Sequence, residues 1–148
     1  MAKGHTALAE NLLELAPGGV DINALDNERT TPLGVALKYH QFECARYLLS
    51  RRGLDVCISS RRYGFPLHQA LVCTEFDLAL RIALLEDAPN NAPDSDGNTP
   101  LHLLFQKFNA DPPKAARLAA LLVLDRRVAV NRTNKHRLTP LLLAVKRS

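Results

Sequence analysis

Four segments align on a central proline and predict an all-α fold of repeated helix–turn–helix units with projecting finger loops. They are Thr31-Pro32-Leu33, Phe65-Pro66-Leu67-His68, Thr99-Pro100-Leu101-His102 and Thr139-Pro140-Leu141. The prolines lie 34, 34 and 40 positions apart, and a second amphipathic stretch follows the first three. Leu and Ala dominate the apolar set while Val and Ile are fewer, which favours helices over strands. Self-similarity at this period is the sequence mark of a solenoid.

Each element has a local cause. A Thr-Pro pair suits a helix start, because Thr can cap orphan amides and Pro fits the first helical turn. An apolar stretch follows, as in Leu33-Gly34-Val35-Ala36-Leu37 and Leu101-His102-Leu103-Leu104-Phe105. The second helix of a unit shows apolar residues at three- and four-residue spacing, as in residues 42–49. Ile82-Ala83-Leu84-Leu85 and residues 118–123 hold the same place in their units. Turn segments follow at 20–26, 53–57 and Val130-Asn131. The 40-residue interval implies an insertion at Asn109-Ala110-Asp111-Pro112-Pro113, read as a lengthened loop because proline cannot continue a helix.

This register gives one domain over residues 1–148. It comprises a half-unit 1–25, units 26–59, 60–93 and 94–133, and a half-unit 134–148. Gly4-His5 with Leu8, Leu12 and Leu13 opens a second-type helix, and the chain stops at Lys146-Arg147-Ser148 inside a first-type helix. The expectation is a segment of a longer protein; the alternative is a short protein whose half-units act as caps.

With 148 residues, 47% hydrophobic and 23% charged, the chain has the composition of an ordinary globular domain. No apolar run approaches the roughly 18 residues of a membrane span, and the N-terminus lacks a signal peptide's apolar core. Cys44, Cys57 and Cys73 are odd in number without CxxC spacing. That argues for reduced thiols in a cytoplasmic or nuclear protein and against a zinc site. The net charge of +4 is unevenly placed. Residues 1–97 hold nine Lys/Arg against thirteen Asp/Glu, and residues 98–148 hold ten against two. Such an asymmetry steers partners more than it shapes a fold.

These segments resemble the ankyrin repeat family, whose marks include Thr-Pro-Leu-His at the first helix. Asp94-Ser95-Asp96-Gly97-Asn98-Thr99-Pro100-Leu101-His102 matches the family pattern almost completely. The resemblance covers essentially the whole chain and implies an ankyrin-repeat solenoid. The family's finger glycine is present only as Gly97. Arg29, Tyr63 and Arg137 stand in the matching places, with Gly64 one residue late, so three finger tips are expected to be altered. Gly34 and Leu142 replace the family's histidine.

The resemblance implies protein–protein interaction through finger tips and the exposed edge of the first helices. By register those positions are Asn27, Glu28, Lys38 and Tyr39, then Arg61, Arg62, Val72 and Cys73. They continue as Ser95, Asp96, Gln106 and Lys107, and end at Lys135 and His136. Tyr39 is the expected anchor and Arg61-Arg62 the expected carboxylate or phosphate partner, though solvation explains that pair equally well. Arg51-Arg52 and Arg126-Arg127 fall at the ends of second helices, where cations complement the helix dipole. Cys44 is expected in the core and Cys73 near the binding face.

His68, His102 and His136 recur at 34-residue spacing. Points one repeat apart lie roughly 10 Å from each other, too far to share one ion at about 2 Å bonds. The first two are expected to bond neighbouring turn backbone. No phosphate loop, Ser-His-Asp set or HExxH motif occurs, so neither an enzyme nor a cofactor or metal is expected. The expected partner is another protein or an extended peptide. The competing readings are nucleic-acid or anionic-lipid binding by the basic C-terminal units, or a regulatory domain of a larger enzyme or signalling protein. Few aromatics and an acidic first part weigh against nucleic acid.

Overall fold

The computed structural model describes residues 3–15 and 19–147, with side chains placed for 7–15 and 19–146. Met1, Ala2, residues 16–18 and Ser148, which the sequence assigns to the half-units, lie outside the described residues. Eight α-helices are found among the described residues, and no strand beyond one isolated bridge between Ser60 and Gly64. They are α1 (Lys3–Leu15), α2 (Pro32–Lys38), α3 (Phe42–Leu48), α4 (Pro66–Val72), α5 (Phe76–Ala83), α6 (Pro100–Lys107), α7 (Pro112–Leu124) and α8 (Pro140–Arg147).

Four helices begin at the four aligned prolines. Thr31 Oγ1 accepts from the Gly34 amide at 3.2 Å, and Thr139 Oγ1 accepts from the Leu142 amide at 3.2 Å. These are orphan donors of a first helical turn, so the Thr-Pro pair acts as a start signal. α2 and α4 end alike. His40 N–H donates to Leu37 O and Gln41 N–H to Ala36 O; Thr74 N–H donates to Leu71 O and Glu75 N–H to Ala70 O. This closure requires a left-handed residue, and His40 (φ 56°) and Thr74 (φ 60°) supply it without glycine.

The helices lie in two rows. α2 packs on α4, α4 on α6 and α6 on α8 in the first row. In the second row α1 packs on α3 and α5 on α7. Across the rows α2 pairs with α3, α4 with α5 and α6 with α7. The core runs between them through Leu33, Leu37, Leu67, Leu71, Phe76, Ile82, Leu104, Leu118 and Leu122. Burying each such side chain is worth about 1.5–3 kcal/mol. Among the described residues no helix is long and apolar enough to cross a membrane.

The insertion differs from expectation. Pro112-Pro113 do not lengthen a loop; they open α7, with Asp111 Oδ1 capping the Lys114 amide at 3.2 Å. Proline is tolerated in a first turn because its missing N–H has no helical partner there. The extra length goes into a 3₁₀ turn at Phe108–Ala110 and a 13-residue α7. α5 also stops at Ala83, which leaves Leu84 and Leu85 exposed beyond it.

Two of the three doubtful finger tips are not altered. Asp26 Oδ1 accepts from the Glu28 and Thr30 amides, Asp94 Oδ1 from Asp96 and Asn98, and Asn134 Oδ1 from His136 and Leu138. These side chains hold one turn shape three times. Arg29 and Arg137 adopt φ 59° where Gly97 has 78°, so the shape is kept at a backbone cost of about 1–2 kcal/mol per residue. Only the turn at 60–64 departs. There Ser60 Oγ accepts one amide, that of Tyr63, and the left-handed residue is Gly64.

Candidate functional site

Backbone bonds link successive turns, except in one place. Arg61 N–H donates to Glu28 O at 3.1 Å, and Lys135 N–H donates to Asp96 O at 3.0 Å. Among the described residues no such bond joins the turn at 60–64 to the one at 94–97. An open groove of about 820 Å³ lies here, bordered by both turns and by α2 and α4. The interruption falls where the turn chemistry changes from Asp or Asn to Ser.

The groove brings together Lys38, Tyr39, Arg61, Arg62, Val72, Cys73 and Ser95. Tyr39 is 60% exposed and caps the C-terminus of α2. Lys38 Nζ lies 5.3 Å from the centre of the Tyr39 ring and 5.0 Å from that of Tyr63, and 3.2 Å from Glu28 Oε2. The hydrogen bond with Glu28 holds the Lys38 ammonium above the usual lysine range, with desolvation pulling the other way. Arg62 lies 5.8 Å from the Tyr63 ring, and Arg61 is exposed beside it. The wall is thus cationic and aromatic, with the lysine held between two phenol rings.

The other expected residues lie off the groove. Asn27, Asp96, Lys135 and His136 are exposed on turns, and Glu28 reaches the site only through Lys38. Gln106 is half-buried and Lys107 exposed near the end of α6, where the 3₁₀ turn takes the chain away.

Two groove residues stand out at its floor. His68 and Gln69 are buried, and His68 Nε2 donates to Ala92 O at 2.9 Å. Burial pushes the His68 imidazole below the usual histidine range, while the Ala92 carbonyl and Asp94 pull it up. A neutral ring with Nε2–H leaves Nδ1 as an acceptor, and neither it nor Gln69 Oε1 has a hydrogen-bond partner in the protein. His102 bonds the next turn likewise, from Nε2 to Leu138 O at 3.0 Å. Both histidines therefore reach neighbouring turn backbone, as expected. Tyr63 was legible as an aromatic at a finger tip but not as the second wall of a lysine cage. Gln69 gives no sequence signal at all.

The thiols differ in exposure. Cys73 is half-buried, its Sγ 3.8 Å from Leu37 O, and burial pushes its thiol up. Cys44 is only partly buried against the core. Cys57 is the exposed one. Its place in the register explains its role. Asn23 Nδ2 donates to Gly53 O at 2.7 Å and Oδ1 accepts from the Asp55 amide at 2.8 Å. Asn91 likewise bonds Arg127 O and the Ala129 amide. Cys57 stands midway between them in the repeat and offers one bond, to Asp87 O at 2.7 Å. Among the described residues no three His, Cys, Asp or Glu side chains gather as a metal site. Compared with known proteins, the chain matches no protein-family model and no curated relative.

Proposed function

We propose that this chain is an ankyrin-type repeat solenoid that binds a partner protein, through an extended segment of it, along the groove over α2 and α4. The observation that carries this reading is the wall of Tyr39, Lys38 and Tyr63 beside Arg61 and Arg62. Half-exposed tyrosines bury large area at low entropy cost, and arginines pair with carboxylates in charge-assisted bonds. An open groove of this kind favours a macromolecule over a small substrate, in keeping with a sequence free of catalytic motifs. Three unpaired thiols fit a cytoplasmic or nuclear setting.

The test is proximity labelling or pull-down in cells, followed by affinity measurement on the captured protein. Tyr39→Ala and Arg61→Glu are each expected to weaken binding by about 30-fold or more, roughly 2 kcal/mol, with unfolding midpoints nearly unchanged. Arg126→Glu, at an exposed position behind the groove, is the control and is expected to be silent. Arg127 is unsuitable for this purpose because its guanidinium holds Asp125 and Glu86 O. If Arg126→Glu abolishes binding and Tyr39→Ala does not, the basic C-terminal units are the recognition surface, and nucleic acid or anionic lipid becomes the better reading.

A further inference from the structure

The charges around the groove over α2 and α4 are unbalanced. Its lining carries Lys38, Arg61 and Arg62 against one carboxylate, Asp94. Asp94 is engaged in its own turn. Its Oδ1 accepts from the Asp96 and Asn98 amides at 2.8 Å, and its Oδ2 accepts from Asn98 Nδ2 at 3.1 Å. Lys38 is engaged as well, 3.2 Å from Glu28 Oε2 and held between the Tyr39 and Tyr63 rings. Arg61 and Arg62 differ. Both are exposed, and among the described residues neither guanidinium has a carboxylate within ion-pair distance. By contrast, Arg127 of the pair behind the groove is held by Asp125 at 3.0 Å.

The other end of the groove, at the C-terminus of α4, is apolar and electrically even. Val72 is 54% exposed there, and Leu103 lines the same groove. Glu75 and Lys107 act on the neighbouring Cys73 thiol in opposite senses, and Glu75 has Arg46 at 3.6 Å. The groove is therefore cationic over the turn at 60–64 and apolar past the end of α4. α4 separates the two regions with 7 residues, a length of about 10 Å. An extended chain rises about 3.3 Å per residue, so about three residues or more are needed to reach from one region to the other.

We propose that the segment bound in this groove is acidic at one end, its Asp or Glu side chains pairing with Arg61 and Arg62. An apolar side chain about three or more residues away then packs on Tyr39 and Val72. This rests on the reading of the groove as a surface for an extended segment, and adds that segment's charge and spacing. Guanidinium groups match carboxylates in charge-assisted, bidentate bonds. The Glu28–Lys38 pair tunes the same site. Glu28 neutralises Lys38 at the wall and sets a carboxylate near the ligand, so it opposes an acidic segment.

Selection of displayed random dodecapeptides on the full chain tests this. Wild-type binders are expected to show Asp and Glu enriched about threefold or more over the unselected library, at the predicted spacing from an apolar residue. The same selection on Arg61→Gln with Arg62→Gln should lose that enrichment. The best acidic binder, labelled for fluorescence anisotropy, should bind this double variant about 10-fold or more weakly. It should bind Glu28→Gln about threefold more tightly, a gain that a damaged fold would not give. If the double variant loses helicity, the Glu28→Gln gain and the weakening of wild-type binding by salt carry the test. Binders without acidic enrichment overturn the proposal, as does enrichment that survives loss of both arginines or a Glu28→Gln chain that binds no tighter. An oligonucleotide that displaces the labelled peptide better than the unlabelled peptide does also overturns it, in favour of nucleic acid. Neutral or basic binders that Tyr39→Ala releases would leave the groove reading standing and sink only the acidic partner. If no peptide is selected, this proposal falls, and capture from cells with Tyr39→Ala decides the groove reading separately.

Discussion

The helix start at Phe65-Pro66 and the one at Thr99-Pro100 share a proline, a leucine and a histidine, and differ in the residue before the proline. At the second start His102 Nδ1 accepts from the Thr99 amide at 3.1 Å and faces Thr99 Oγ1 at 2.8 Å, while Nε2 donates to Leu138 O. At the first, Phe65 has no hydroxyl, and His68 Nδ1 is left without a protein partner. The turns ahead of them differ in the same sense. Asp94 holds the amides of Asp96 and Asn98, and Asn98 Oδ1 accepts from Asn134 Nδ2 at 2.8 Å. Ser60 holds one amide. The third unit satisfies its polar groups internally and bonds to its neighbour, whereas the middle unit leaves two buried acceptors unpaired beneath the groove. The candidate binding surface thus lies where the repeat departs from its own pattern.

The sharpest way to break that comparison is to remove each histidine. His102→Ala strands a buried hydroxyl, an amide and a carbonyl, and should cost about 3 kcal/mol or more. His68→Ala strands one carbonyl and should cost about 1–2 kcal/mol. Equal losses in urea unfolding would show that the extra bonds of His102 add nothing. A pH series sharpens the same point. Because burial lowers the His68 pKa, the unfolded chain binds its proton more readily than the folded one. The stability that neutral His68 contributes is complete above about pH 6.5 and is lost as pH falls below it. Wild-type protein should therefore lose stability as pH falls through and below about 6.5, and His68→Gln should lose less.

Smaller effects come from restoring the pattern. Cys57→Asn should leave thermal stability within about 0.5 kcal/mol: the carboxamide N–H can replace the thiol's bond to Asp87 O, but Pro89, at the place of Asp55 and Ala129, has no amide for the carboxamide oxygen. A gain of about 1 kcal/mol or more would show that this oxygen finds another donor. Thr74→Gly and Arg137→Gly relieve left-handed backbone at φ 60° and 59°. Each should gain about 0.5–1 kcal/mol, the lower entropy of the non-glycine unfolded chain offsetting part of the relief.

Features whose causes lie within a few residues were legible in the chain. Thr31-Pro32 and Thr139-Pro140 start helices because the hydroxyl reaches an amide three positions on. Asp26, Asp94 and Asn134 shape their turns because one side-chain oxygen reaches amides two and four positions on. The same local rule, applied further, would have placed Pro112-Pro113 at a helix start, since Asp111 precedes them as a cap. The seat of Lys38 between Tyr39 and Tyr63, the exposure of Cys57 rather than Cys73, and the break in the turn ladder beside the groove follow from long-range packing. Those outcomes depend on groups 24 or more residues apart. Their distances are set by how one unit stacks on the next, and a single chain pattern carries no measure of that stacking beyond its register.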